Sequence, residues 1–412
     1  MDELELSDDQ KMCYDSLLDW YKSHKPLITF GGYAGTGKTT LVSKLRNDLP
    51  QAARVAFCAF TGKAASVLRS KLSMFDIKRF SGDTISTIHS LIYEPVIVKE
   101  EVVDWKLREK LNADLIVVDE ASMLGEEIYK DLSSFGIPIL AVGDHCQLPP
   151  IDGVLNLMSN PDIKLEKVHR FSETNSLMKI SIMARMNGYI PHGKYGENVI
   201  KIHKNHSLIT DFINQSIETN FLDSVILCGF NRTRIDLNKR IRAKMGLKTK
   251  YPSVGERVIC LKNNKNAKNC PIYNGVLGTM KSCLEYPEYL DVKIEIDGEA
   301  KWYKGKISKT TFNNEKPEMY EFIYEEVDEE EDEDKYITKH SKYRKNYRTK
   351  TVRVYLDCFD FGYALTVHKS QGSEWDRVLL IEQPCDYWSG PNWKKWLYTG
   401  VTRCADQLLL VR

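Results

Sequence analysis

The chain has 412 residues, of which 42% are hydrophobic and 28% are charged, and this length is typical of two or three domains with a sizeable core. Its net charge of +1 excludes a polyanion-binding protein with a uniformly basic surface, so any nucleic-acid site must be a local groove. No apolar run approaches the ~18 residues of a membrane helix, and residues 1–6 are acidic where a signal peptide would be basic, so we expect a cytoplasmic protein without a membrane partner.

The first predicted element is a helix within residues 1–25. It begins at Ser7, because Ser7 and Gln10 have the spacing of a capping box, and it carries Met12 and Leu17 on its apolar side. Gln10 lies just before the next strand, where its two-sided amide could bind the edge of an adenine. A capping role is an equally good interpretation of Gln10, and both roles are possible only if different atoms serve them.

Residues 27–40 begin as a short apolar run, break into a glycine loop and continue as a helix. Residues 32–39 match the Walker A pattern, in which backbone N–H groups surround phosphate at a helix N-terminus. Lys38 would hold the outer phosphates and Thr39 would hold magnesium, so the pattern predicts binding of ATP or GTP. The residues expected at the nucleotide are Gln10, Gly32, Gly35, Thr36, Gly37, Lys38, Thr39 and Thr40.

Residues 54–60 predict a second buried strand that leads into another helix. Alternating strands and helices indicate a parallel sheet, whose ligands gather at the carboxyl ends of the strands. Thr61 and Lys63 therefore lie on a functional rim, although a solvated helix cap explains Thr61 equally well. Residues 84–91 bring small hydroxyl groups and His89 to a neighbouring rim.

A small hairpin is predicted within residues 93–105, where two β-branched runs flank a charged turn at 99–101. Trp105 is the largest apolar group of this segment. We expect it to pack onto the parent sheet rather than to be exposed for a function.

The apolar strand 114–118 ends in two adjacent carboxylates, Asp119 and Glu120. Beside a Walker A loop, Asp119 would coordinate magnesium and Glu120 would orient and deprotonate the attacking water. Simple capping of the strand is the alternative. Gln147 follows the next apolar strand, and its amide could contact the terminal phosphate or the attacking water.

Arg170 lies where an arginine could reach the phosphates across a cleft. Strands and helices begin to alternate again near residue 223, which suggests a second domain there. The last helix, residues 393–403, ends at Arg403, the arginine most suited to act as a finger on the phosphates.

Residues 251–356 predict antiparallel β structure, because they are rich in Tyr, Val and Ile with alternating polar positions. An acidic run followed by a basic run, residues 325–350, is expected to be a solvated loop of this region, with mimicry of DNA as the alternative. Parallel-sheet character returns at residues 361–382, so the β-rich region is an insertion.

Together these stretches resemble the superfamily-one helicases, in particular the 5′-to-3′ branch of RecD and the phage helicase Dda, and Dda is closest in motif order. The motifs span nearly the whole chain. They lie at Gln10, residues 32–40, 60–65, 87–90, 118–122 and 143–150, Arg170, and residues 364–372 and 398–403.

The resemblance implies an α/β fold of two RecA-like domains with parallel sheets. The first would span residues 1–178 and carry a hairpin, the pin, at about 93–110. The second would span residues 179–250 and 357–412, interrupted by an SH3-like barrel at 251–356.

The resemblance also assigns residues to ATP, bound between the domains, and to single-stranded DNA, bound across both. The catalytic residues would be Lys38, Asp119, Glu120, Gln147, Arg170 and Arg403, with Thr39 and Asp119 at Mg²⁺ and Glu374 also at the nucleotide. The DNA-binding residues would be Thr61, Lys63, His89, Asn231, Thr366, His368 and Lys369.

The implied activity is a monomeric, Mg-ATP-dependent helicase that moves 5′ to 3′ on single-stranded DNA and separates forked or tailed duplex in replication, repair or recombination. If the chain is phage-encoded, it would act in the host-cell cytoplasm. The pin is short and charged at its tip, unlike that of Dda, so a translocase that displaces bound proteins with little unwinding is an alternative.

A third hypothesis is an ATP-gated clamp that recruits a single-strand-binding or replication protein through the charged insertion. The pair Asp119 and Glu120 argues against it, because a clamp without turnover needs no water-activating carboxylate. RNA remains open as a substrate, because the sequence contains no recognisable reader of a 2′-hydroxyl group.

Overall fold

The structure, a computed structural model, describes most of the chain. The described residues are 6–60, 62–74, 80–98, 101–149, 155–167, 175–262, 264, 267, 270, 272, 274–315, 321–329, 347–384 and 390–412. Thr61, Arg170 and residues 330–346 of the charged segment lie outside them, as does the side chain of Lys63.

The helices of the described residues alternate with strands in both halves of the chain. They are α1 (Asp8–Lys22), α2 (Lys38–Asp48), α3 (Gly62–Met74), α4 (Ile88–Ile92), α5 (Glu126–Ser133), α6 (Ser176–Asn187), α7 (Leu208–Glu218), α8 (Asn231–Lys244) and α9 (Gly390–Val401). None of the described helices is long and apolar enough to cross a membrane.

The first domain contains a sheet of parallel strands. They are β1 (Leu27–Gly32), β2 (Val55–Ala59), β3 (Thr84–Thr87), β6 (Leu115–Val118), β7 (Ile139–Gly143) and β8 (Ile163–Leu165). Their order is β3-β2-β6-β7-β1-β8. Strands β2, β6 and β7 are buried along their whole length, as expected for a parallel sheet with helices on both faces.

Helix α1 begins as the sequence predicts. Ser7 is its N-cap, and both hydrogen bonds of the capping box with Gln10 form. The prediction is wrong for Met12, which is 71% exposed, whereas Leu17 is fully buried. The buried face runs through Cys13, Leu17 and Trp20, so the apolar stripe passes beside Met12.

The predicted hairpin is present as β4 (Tyr93–Val98) and β5 (Glu101–Leu107), which pair antiparallel. Trp105 is half-buried and packs against the core of the first domain, as predicted. Its indole Nε1 also donates a hydrogen bond to the carbonyl of Ala267 in the β-rich insertion, at 3.3 Å. The hairpin is therefore in contact with both domains.

The second domain has a sheet in the order β19-β11-β20-β21-β10-β9. Its strands are β9 (Gly193–Tyr195), β10 (Val199–Ile202), β11 (Ser224–Cys228), β19 (Ala364–Thr366), β20 (Trp375–Ile381) and β21 (Cys404–Val411). All neighbours are parallel except β9 and β10. The predicted start near residue 223 is wrong, because β9 and β10 precede it.

Helix α6 also belongs to the second domain. Its buried residues Ile180 and Ala184 share a core with Trp396 and Leu397 of α9. Helix α6 therefore packs with the second domain, and the boundary at 178 implied by the resemblance stays a prediction.

The β-rich insertion contains an antiparallel sheet in the order β15-β14-β13-β12-β18. Its strands are β12 (Arg257–Cys260), β13 (Leu277–Glu285), β14 (Tyr289–Ile296), β15 (Tyr303–Ser308) and β18 (Phe359–Phe361). A bridge between Ile307 and Asp357 joins β15 to the segment just before β18, so the sheet closes into a small barrel. Its assignment as SH3-like stays a prediction.

The charged segment is not a loop throughout. Residues 325–329 and 347–350 belong to a two-stranded hairpin of β16 (Glu321–Glu329) and β17 (Tyr347–Tyr355). In its register Glu326 lies opposite Lys350 and Asp328 opposite Arg348. The prediction of a loop is therefore wrong at both ends of the segment, where the backbone forms a strand pair.

Candidate nucleotide site between the two sheets

A cleft of about 530 Å³ lies where the carboxyl ends of β1, β6 and β7 face the second domain. The first domain contributes the P-loop (residues 32–39), the two carboxylates after β6 and the turn after β7. The second contributes parts of α6, residues 372–374 and residues 401–405. The predicted nucleotide site is thus assembled from segments far apart in sequence.

The P-loop has the backbone that its glycines allow. Gly35 and Gly37 have φ values of +79° and +99°, which favour glycine. The ammonium of Lys38 donates hydrogen bonds to the carbonyls of Gly32 and Tyr33, at 2.7 and 2.9 Å. Lys38 is also the first residue of α2, so the phosphate-binding loop ends at a helix N-terminus.

Gln10 braces this loop with one end of its amide and caps α1 with the other. Its Oε1 accepts from the Ser7 N–H at 3.2 Å, and its Nε2 donates to the carbonyl of Thr36 at 3.1 Å. A Cβ added to Gly37 would lie 2.7 Å from this Nε2. Different atoms therefore serve the two contacts, and the adenine role remains a proposal.

The carboxylates after β6 have an unusual local setting. Burial and, to a smaller extent, the neighbouring Glu120 carboxylate together raise the pKa of Asp119 to about 6, against the opposing effect of Lys71 and Lys38. Glu120 has a φ of +54°, a strained conformation for a residue other than glycine. Strain of this kind concentrates at functional sites.

Two observations indicate that the cleft fits a hydrated cation and a water. Thr39 and Asp119, which both line it, offer the hydroxyl and carboxylate oxygens that magnesium prefers. Gln147 is 6% exposed, and its buried Oε1 has no hydrogen-bond partner among the described residues. Such an orphaned acceptor requires a partner, and a bound water would supply it.

Arg403 brings a buried positive charge to the same cleft. It is 4% exposed and donates only to neutral acceptors, the carbonyls of Thr399 and Ser373 and the hydroxyl of Thr402. No carboxylate pairs with it in the described part of the chain. A buried guanidinium without a counter-charge suits a phosphate. Glu374 lies exposed at the rim.

Two family profiles match the chain. The profile of the AAA domain matches residues 5–210, half of the chain, and that of the UvrD-like helicase C-terminal domain matches residues 361–411. The ATP-dependent DNA helicase dda of Enterobacteria phage T4 is 24% identical over 97% of this chain and 97% of its own length. The chain belongs to the superfamily-one helicases of the RecD and Dda type.

Two further relatives of this helicase are more partial or more distant. The ATP-dependent RecD2 DNA helicase of Deinococcus radiodurans is 34% identical over 40% of this chain, a segment that spans 22% of that longer protein. The crystal structure of Pif1 helicase from Bacteroides in complex with ADP-AlF3 and ssDNA aligns with 99% of this chain and 92% of its own, at 16% identity and a TM-score of 0.49. Membership of this family confirms the prediction that the chain is a helicase and that it binds a nucleotide.

The helicase places some of the residues predicted to bind DNA on one rim. Cys228 at the end of β11 lies beside Thr366 at the end of β19. Asn231 follows β11 and is exposed, whereas His368 and Lys369 follow β19 and are half-buried. Thr366 itself is 7% exposed, so it lies beneath this rim.

His89 of the first domain does not lie on the surface as predicted. It is 2% exposed, and its ring packs between Phe60 and Tyr93 with centroids 5.7 and 6.1 Å away. His89 belongs to α4, directly after β3, and these aromatic neighbours bury its ring beneath the rim.

Sequence reasoning missed the residues that join the two domains. The Tyr398 hydroxyl donates to the Asp144 carboxylate at 2.5 Å. The Thr399 hydroxyl accepts from the Leu148 N–H at 2.9 Å, and Gln371 Nε2 donates to the Leu148 carbonyl at 2.6 Å. Tyr398 and Thr399 lie in the same motif as Arg403, residues 398–403. That position was the one feature of the sequence that could have indicated a role for them.

Proposed function

We propose that this helicase is an Mg-ATP-driven motor that moves 5′ to 3′ on single-stranded DNA and separates duplex ahead of it. One observation carries the proposal: a single cleft joins the P-loop, Asp119, Glu120 and Gln147 of the first domain to Arg403 of the second. Hydrolysis in such a cleft changes the contacts between the domains, which is what a motor on a strand requires.

The first domain would hold the nucleotide. Lys38 binds the outer phosphates once its present carbonyl contacts are exchanged for them. Thr39 and Asp119 would hold the magnesium ion, which neutralises phosphate charge when it is bound. Burial disfavours an unpaired carboxylate at Asp119 and so raises its pKa, and a bound cation would stabilise the charged form.

Glu120 would take the proton of the attacking water, and the buried Oε1 of Gln147 would orient that water. Arg403 would stabilise the charge that develops on the phosphate, since phosphoryl transfer depends mainly on positioning and electrostatics. Arg170, outside the described residues, is proposed for the same task from the resemblance alone.

The strand would bind across the carboxyl edges of both sheets. Thr61 and Lys63, which follow β2 in the sequence, are proposed for this surface from the resemblance alone, and the β11 and β19 edge carries Asn231, His368 and Lys369. Hydroxyl, amide and cationic groups suit phosphate contacts, which carry no sequence information.

The hairpin would separate the duplex. The hydrogen bond from Trp105 to Ala267 supports this part of the proposal, because a wedge under load needs bracing from the domain that moves against it. We further propose that the enzyme acts as a cytoplasmic monomer and that its charged hairpin of β16 and β17 can recruit a single-strand-binding or replication protein.

The first test is ATP hydrolysis with and without single-stranded DNA, and with single-stranded RNA, at one defined low salt because such binding is salt-sensitive. We expect strong stimulation by DNA, and unwinding of 5′-tailed but not 3′-tailed duplex. Unwinding only of 3′-tailed duplex would overturn the polarity. Absence of stimulation by either strand would favour the clamp hypothesis.

We expect the affinity for single-stranded DNA to fall as the pH rises through about 8. Burial and, to a smaller extent, the nearby Arg234 charge together lower the pKa of Lys369 to about 8. The ammonium is therefore charged below this pH and neutral above it, so binding at higher pH must take up a proton.

Fluorescence anisotropy with a labelled oligothymidine at constant ionic strength measures this dependence. Lys369→Arg is the matched control, because a guanidinium keeps its charge up to a pH of about 12. The variant should flatten the profile. Equal profiles for both proteins would remove Lys369 from the strand-binding surface.

A further inference from the structure

Three consecutive residues of the P-loop are each contacted by the second domain. The guanidinium of Arg185 lies over the ring of Tyr33, 3.3 Å from its centroid. The hydroxyl of Tyr398 accepts a hydrogen bond from the Ala34 N–H at 3.0 Å. The methyl group of Met178 packs against Gly35 so closely that a Cβ added there would lie only 2.4 Å from it.

Tyr398 makes the most specific of these contacts. Its side chain is 1% exposed, and its hydroxyl also donates to Oδ2 of Asp144 at 2.5 Å. Asp144 begins the turn that carries Gln147, since its Oδ1 accepts the Cys146 N–H and its carbonyl accepts the Gln147 N–H. One phenol therefore joins the P-loop to the turn of the water-orienting amide.

Arg185 depends on its contact with the Tyr33 ring, because part of its guanidinium is buried. Its Nε and Nη1 are buried and have no hydrogen-bond partner among the described residues. The contact with the face of the Tyr33 ring is consequently the main interaction that offsets the cost of burying this charge. Cation–π contacts are strongest when they are desolvated. Met178 and Arg185 both project from α6, about two turns apart.

Tyr398 is linked to Arg403 through its neighbour Thr399. The Arg403 Nε donates to the Thr399 carbonyl, and the Thr399 hydroxyl accepts the Leu148 N–H. Tyr398 and Thr399 are both buried in the last turns of α9. A displacement of α9 would thus move the P-loop contact and the guanidinium of Arg403 together.

We propose that Tyr398, Arg185 and Met178 form a clasp through which the second domain sets the conformation of the P-loop, with Tyr398 as the positioning residue. This inference deepens the proposed function and rests on it for its kinetic consequence. The clasp makes the phosphate-binding loop itself sensitive to domain closure. A movement of the second domain relative to the first would therefore change the nucleotide site through the P-loop as well as through Arg403.

The direct test is hydrogen exchange in the full chain without nucleotide, comparing the wild type with Tyr398→Phe. The variant keeps the ring and removes the hydroxyl that accepts from Ala34, so we expect exchange of the amides of residues 33–35 to accelerate at least about tenfold. Tyr195→Phe is the matched control, because the one hydrogen bond of that hydroxyl to the described residues is donated to the Pro191 carbonyl at the surface. Unchanged exchange at residues 33–35 would overturn the clasp, whether or not the enzyme is a motor.

The kinetic test separates positioning from simple stabilisation. For Tyr398→Phe we expect the strand-stimulated kcat to fall about tenfold while KM for ATP and the affinity for a fluorescent ADP analogue change by less than about threefold. Equal losses of kcat and nucleotide affinity would indicate a structural role and overturn the assignment. If the wild type lacks strand-stimulated hydrolysis, the proposed function fails, and the exchange result alone decides on the clasp.

A double variant tests whether the contacts act as one unit. Arg185→Met keeps a long side chain over Tyr33 but removes the charge. If the clasp is one device, combining it with Tyr398→Phe should lower kcat by less than the product of the two single effects. If the loss of kcat in the double variant equals the product of the two single losses, the contacts are independent, and the clasp as a unit is overturned.

Discussion

Lys38→Ala should lower strand-stimulated ATP hydrolysis by about 10²–10³-fold or more, since no other described cation lies within the P-loop to stabilise the transferred phosphate. Phosphate release at saturating single-stranded DNA measures the effect. Lys44→Ala is the matched control, because Lys44 lies on the same helix and pairs with Asp48 on the surface. Activity within about tenfold of the wild type would refute the assignment of the pocket.

The structure adds a second consequence of Lys38→Ala. The ammonium also donates to Gly32 and Tyr33, so its removal frees two carbonyls of the loop as well as a phosphate contact. We therefore expect weaker nucleotide binding in addition to slower turnover. The thermal midpoint of unfolding should change little, because the loop lies at the surface of the cleft.

Glu120→Gln should stop turnover while nucleotide binding persists. The substitution keeps the size of the side chain and removes the base, and general-base catalysis contributes about 10²–10⁴-fold. Single-turnover hydrolysis and the affinity for a fluorescent ATP analogue separate the two effects. Glu126→Gln serves as the control, because Glu126 pairs with Lys130 on the exposed face of α5.

Loss of nucleotide binding in Glu120→Gln would give Glu120 a structural role instead. The positive φ at this residue makes that outcome informative. It would mean that the charge of the carboxylate holds the turn between β6 and the following short 3-10 helix.

The sequence predicted those parts of the site that are formed by residues close together in the chain. The P-loop, the carboxylate pair and the capping box each depend on residues within one turn or one loop of each other, so a short stretch of sequence specifies them. The parallel sheets followed from buried apolar strands between helices.

Non-local contacts escaped the same reasoning. Tyr398 meets Asp144 and Ala34 across separations of 254 and 364 residues, and no local periodicity encodes such pairs. The charged segment was assigned by polarity alone, whereas its strand register depends on the facing strand. His89 is polar by type, but its burial depends on aromatic neighbours from β4 and the end of β2.

Strand β21 lies in the middle of the second sheet, between β20 and β10. The first sheet, by contrast, is complete once Leu165 of β8 has been added. During synthesis the first domain can therefore fold while the second still lacks a central strand, because domains fold as units from the N-terminus. Since Arg403 directly precedes β21 and lines the cleft, nearly all of the described chain must be synthesised before the cleft is complete.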